Sequence, residues 1–143
     1  MFANQYLAYD LLSERMRAFV DGLKAVHSGE GYYRLIGLDP REAPQNTHPV
    51  VRTHPETGRR ALFVNRIWTR RIENLAEAES RVLLDFLYEH AVMPNLTFRH
   101  TWSPGDLLMW DNRCVQHYAV YDYGDATRVM HRATVLGDKP FFA

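Results

Sequence analysis

Along the first part of the chain, apolar side chains recur at Leu7, Leu11, Leu12, Met16, Phe19, Val20 and Leu23, close to the 3.6-residue period of a helix. Ser13 sits inside that run, where it can cap a second helix, so residues 4–26 read as two short helices or one kinked one. Gly29 and Gly31 end the pattern. From there to about Gln45 the segment GEGYYRLIGLDPREAPQN has no clear period and reads as a connecting loop. HPVVRT and ALFVN then flank HPETGRR, which predicts a hairpin. Asn74 followed by Glu77 resembles a helix-capping signal, after which Val82, Leu83, Phe86, Leu87 and Ala91 make one apolar stripe ending before Pro94. The remainder reads as β. Leu96, Phe98, His100 and Trp102 alternate with polar residues; SPGD is a turn; LLMW is a short apolar run; and RVMHRATV alternates again. These elements predict one α+β domain, or a β-sandwich with helical decoration, over residues 1–143.

Composition narrows the classes. The chain has 143 residues, 46% hydrophobic and 13% aromatic, enough for a core. Its 17 Lys+Arg balance 17 Asp+Glu, so no net field recruits nucleic acid or an anionic membrane. Cys114 is the only cysteine, which excludes an intramolecular disulfide and any multi-cysteine metal site. MFANQYLAYD lacks the basic start and apolar stretch of a signal peptide, and a cytoplasmic protein is the expectation.

Candidate chemistry concentrates in residues 110–132, WDNRCVQHYAVYDYGDATRVMHR. On a strand, Arg128, Met130 and Arg132 share one face. If that face is buried, each guanidinium needs an anion, and Arg is well shaped to grip a carboxylate or sulfonate. If it meets solvent, both arginines are simply solvated. His117, in an aromatic stretch, fits either a structural hydrogen-bonded histidine or a ligand.

The string WDNRCVQHYAVYDY, with arginines eleven and fifteen residues after His117, resembles the C-terminal signature of the taurine and 2,4-dichlorophenoxyacetate dioxygenase family. HPVVRTHPETGRRALFVN, the helix at 77–91, HTWSPGD and the closing HRATVLGDKPF extend the resemblance over essentially the whole chain. The resemblance implies an Fe(II)- and 2-oxoglutarate-dependent dioxygenase built on a double-stranded β-helix, the jelly roll, with helical insertions. Such an enzyme uses O2 to hydroxylate a small anionic organic substrate (a taurine-like sulfonate, sulfate ester or carboxylate) and releases succinate and CO2. By position, His117 is similar to the distal iron-binding histidine of the facial triad. Arg128 matches the arginine that pairs with 2-oxoglutarate, and Arg132 the one that faces an anionic substrate. Trp68 falls where an aromatic residue lines the substrate pocket, and Trp110 resembles the tryptophan close to the metal. On this reading Arg128 and Arg132 face the barrel interior, about 13 Å apart along their strand.

One departure matters. The family supplies its other two iron ligands as His-x-Asp, and no His-x-Asp occurs here. The chain therefore resembles the C-terminal portion of a longer enzyme with an incomplete jelly roll, and unpaired sheet edges favour pairing with another chain, a homo-oligomer included. His54-Pro55-Glu56 has the H-x-E form of some triads but sits in the hairpin turn, and Asp111 is better suited to ordering its loop. With one ligand left, iron affinity is expected to collapse. The alternatives are a non-catalytic organic-anion-binding relative and an inactive fragment.

Overall fold

The computed structural model describes residues 1–143, in which short helices and three small antiparallel sheets surround one apolar cluster. Strand β1 (Phe2–Asn4) leads into α1 (Gln5–Asp10), whose first turn is capped by Asn4 Oδ1 accepting from the amides of Tyr6 and Leu7. Helix α2 (Glu14–Val20) follows, with Ser13 Oγ accepting from Met16 N, so the two-helix reading with Ser13 as cap holds. The helical run stops short of residue 26, because β2 (Lys24–Ser28) is the central strand of a sheet between β3 (Gln45–Pro49) and β6 (Thr69–Ile72).

The segment read as a loop contains helix α3 (Glu30–Leu35) and a 3-10 turn at Pro40–Glu42. None of the α3 residues is buried, so no apolar face marked the helix in the sequence. The hairpin is present: β4 (Val51–Thr53) pairs with β5 (Arg60–Leu62), Arg52 opposite Ala61. Helix α4 (Glu77–His90) starts after Ala76, where Glu79 Oε2 accepts from Ala76 N; Asn74 lies outside it at φ 61°. Its buried face is Ser80, Leu83, Leu84 and Leu87, continued by Ala91, at the helical spacing. Val82 and Phe86, expected in that stripe, point outward. Ser80 Oγ accepts from Ile72 N at 2.8 Å, which fastens α4 to the edge of the second sheet.

Beyond residue 96 the β-rich expectation is corrected. Strand β7 is only Thr97–Phe98, and β8 (Val115–His117) is the sole later strand; LLMW and RVMHRATV are not strands. Both β7 and β8 pair with β1, in the order β7-β1-β8. No strand of this chain lies beside 128–135, so its amides form no ladder, and Val129 and Val135 are exposed. The placement of Arg128 and Arg132 on an inward strand face is accordingly overturned: both are exposed. The sheets form no closed barrel. The core joins Ala8, Leu12 and Val20 of the N-terminal region to Leu62, Ile72, Leu84 and Leu87. No helix is long and apolar enough to cross a membrane.

Candidate functional site

His117 owes its position to the N-terminal strand. Phe2 pairs with His117, Ala3 with Gln116 and Asn4 with Val115, and Tyr118 N donates to Met1 O. Gln116 extends the tie, its Nε2 donating to Val64 O at 2.7 Å and to Gln5 Oε1 at 3.1 Å. Gln5 is 2% exposed, and its own amide donates to Ala3 O and Ala91 O. A buried amide with every group paired fixes a geometry that an apolar side chain leaves loose. The sequence reading missed both glutamines, because a glutamine on a short strand carries no periodic signal.

Trp110 is the hub of the site. Its ring centroid lies 4.9 Å from that of His117 and 5.2 Å from that of Phe2, while its Nε1–H donates to Asn112 Oδ1. The Arg132 guanidinium stands over the same indole, 5.8 Å from its centroid, a cation–π arrangement. Trp110, His117 and Arg132 thus come together although fifteen residues separate the histidine from the arginine. His117 is exposed, yet desolvation by the groups around it, the Arg132 charge and the N-terminal ammonium all lower its pKa, desolvation most. Arg128 is elsewhere, its guanidinium 5.4 Å from the Tyr123 ring. Trp68 lies just before β6, 6.0 Å from the Tyr32 ring, and its amide donates to Asn65 Oδ1.

Between Trp110 and β8, the loop is held by charge. Arg113 grips Asp111 with Nε and Nη2 at 2.8–3.0 Å, and its amide donates to Asp111 Oδ1 at 2.8 Å. Its Nη1 donates to Glu56 Oε1 in the hairpin turn at 3.0 Å. His54, 4% exposed, lies 3.1 Å through Nε2 from Asp111 Oδ2, the oxygen that also accepts from Arg113 Nη2. These bonds, those from Arg113 foremost, hold the Asp111 carboxyl far below the usual carboxylate range. Asp111 orders its loop, as its sequence context suggested. Cys114 is buried there, and burial pushes its thiol pKa up, the opposite of an activated nucleophile.

The group of close donors comprises His54, Asp111 and Cys114, within 4.8 Å of one another, and His117 is not part of it. His54 Nδ1 accepts from the amides of Glu56 and Thr57, both at 3.3 Å, so the neutral ring carries its proton on Nε2 and has no lone pair there for a metal. The Asp111 oxygens are already occupied by a guanidinium. The residues present therefore do not make a three-ligand Fe(II) site around His117. A cavity of about 790 Å³ lies between β6 and α4, lined by Arg66, Arg70, Arg71 and Arg81 among others, away from the Trp110 cluster.

Residues 1–134 match the model of a family described as "Taurine catabolism dioxygenase TauD, TfdA family". The chain belongs to that family. It is 40% identical over 144 residues to an alpha-ketoglutarate-dependent 2,4-dichlorophenoxyacetate dioxygenase of Cupriavidus pinatubonensis, covering 96% of this chain and 50% of the relative. An alkylsulfatase of Acinetobacter baylyi is 37% identical over 150 residues, covering 96% and 47%. Among solved structures, a taurine dioxygenase from Burkholderia xenovorans superposes with a TM-score of 0.70 at 40% identity, covering 80% of this chain and 38% of that one. The chain spans between about a third and a half of the length of the curated relatives it matches.

Proposed function

We propose that the protein is part of an Fe(II)- and 2-oxoglutarate-dependent dioxygenase that hydroxylates a small anionic organic substrate, such as a sulfonate, sulfate ester or phenoxyacetate, releasing succinate and CO2. Its sheets are pieces of a jelly roll. The observation that carries the reading is the convergence of Trp110, His117 and Arg132, three residues on which the family resemblance rests, at one place. In this reading His117 is an iron ligand, Arg128 holds 2-oxoglutarate, Arg132 faces the substrate anion, and Trp68 lines the substrate pocket. His117 has no side-chain hydrogen bond competing for its nitrogens, whereas His54 is committed at both.

A second reading is favoured by the donor set: with His117 the one ligand assigned here, the chain is an organic-anion binder that works without metal. Calorimetric titration of 2-oxoglutarate with and without Mn(II), followed by a succinate assay with Fe(II), O2 and a panel of organic anions, separates the two. Metal-dependent binding with substrate-stimulated succinate supports the dioxygenase. Metal-independent binding without succinate supports the anion binder, and no binding of 2-oxoglutarate under either condition overturns both.

A further inference from the structure

The hairpin turn at 54–59 and the loop at 110–114 are about sixty residues apart in sequence, yet one polar network joins them. His54 Nδ1 receives two turn amides, which forces Nε2 to be the donor, and Nε2 faces Asp111. Asp111 then holds Arg113 in a two-point grip, and Arg113 returns to the turn through Glu56. The network runs as a ring from turn to histidine, carboxylate and guanidinium and back to the turn, and Arg113 Nη1 also stands 3.7 Å from Asp138 Oδ1. Immediately before it in the chain is Trp110 and immediately after it Cys114 and β8.

We propose that His54, Asp111 and Arg113 form a positioning latch that pins the 110–114 loop to the hairpin turn and so sets where Trp110 and His117 stand. Its importance for catalysis rests on the functional reading above; the latch itself does not. None of the three touches the proposed reacting groups, so they are positioning residues. The same geometry explains why a histidine followed by Pro-Glu occupies a turn: the ring's acceptor nitrogen replaces a backbone partner for the turn, and its donor nitrogen is spent on Asp111.

The chain's only cysteine is a native reporter, since Cys114 is buried within the latched loop. Its rate of modification by a disulfide reagent, measured at low urea with no metal and no 2-oxoglutarate, reads loop opening. Asp111→Asn and His54→Asn are expected to raise that rate about tenfold or more, the size of losing one charge-assisted hydrogen bond. The increase should be independent of urea, because local opening exposes little surface, whereas Leu87→Ala in the core should raise the rate with a steep urea dependence. His54→Asn retains an acceptor for the turn amides but cannot reach Asp111; His54→Gln can reach it and should restore protection. Arg113→Lys, at a less buried position, keeps the charge and loses the fork, and should open the loop without unfolding the chain. A cross-relaxation signal between the Trp110 and His117 rings should weaken in the opened variants. Wild-type protection in Asp111→Asn and His54→Asn would overturn the latch, as would opening that follows urea like Leu87→Ala, or failure of His54→Gln to rescue. Because no cofactor enters the measurement, its result stands apart from success or failure of the dioxygenase assay.

Discussion

The Trp110 indole lies 4.9 Å, centroid to centroid, from the His117 imidazole, with 48° between the ring planes. That pairing shields one face of the histidine, and the Arg132 guanidinium adds positive charge beside it. Both effects disfavour the imidazolium. In the chain without metal, the His117 proton resonances should therefore titrate with a midpoint below the ordinary value of about 6.5. Arg132→Ala should move the midpoint upward and leave it still depressed, because desolvation is the larger cause. A midpoint unchanged by that substitution would remove Arg132 from the site.

Anion binding tests the two arginines separately. If Arg128 receives 2-oxoglutarate and Arg132 the substrate, Arg128→Ala should weaken 2-oxoglutarate about tenfold or more, the loss of a charge-assisted hydrogen bond, while Arg132→Ala weakens it less. Because both side chains are exposed, the affinity should also fall as salt rises from low to physiological strength. Titration calorimetry at two salt concentrations reads both effects. Equal losses from the two substitutions would mean that the arginines share one anion.

The orientation of α4 can be measured by truncation. Leu87 is fully buried, and Leu87→Ala should cost about 2–5 kcal/mol in urea unfolding. Val82, 68% exposed, should lose no more than about 0.5 kcal/mol as Val82→Ala. Ser80→Ala removes the acceptor for a buried amide at Ile72 and should cost about 1–3 kcal/mol, because that N–H is left unpaired. Losses of similar size at Val82 and Leu87 would return Val82 to the buried stripe suggested by the sequence.

What the sequence disclosed was set by how locally each feature is determined. Ser13 as a cap and the hairpin around HPETG rest on neighbouring residues and hold in the structure. Helix α3 escaped because it buries nothing, and β2 because Leu23 continues the helical period up to a strand defined by its partners β3 and β6. RVMHRATV alternates as a strand does, yet a strand needs a neighbour, and none lies beside it here. The site was legible through motif likeness rather than periodicity: WDNR pointed to Trp110 and His117, and their meeting with Arg132 follows only from the chain's path. The link from His54 to Asp111 spans 57 residues and has no local signature at all.

His27 predicts how the fold responds to acid. Its ring stacks on Phe63 at 5.7 Å and meets the His48 ring at 5.1 Å. Burial, assisted by His48, lowers its pKa to about 4, and His48 is itself lowered by burial with Arg52 and Lys139 nearby. The unfolded chain takes up this proton near pH 6.5, whereas the folded chain does not until about 4. Across that interval the unfolded state binds more protons, so the contribution of His27 is fully present above pH 6.5 and is lost as pH falls through 4. Thermal midpoints should decline over this range, and His27→Gln, which has no proton to gain, should flatten the decline even if it lowers the plateau. An unchanged slope in His27→Gln would assign the acid sensitivity to other groups, His48 first, since its ring faces the same Phe63 at 5.8 Å.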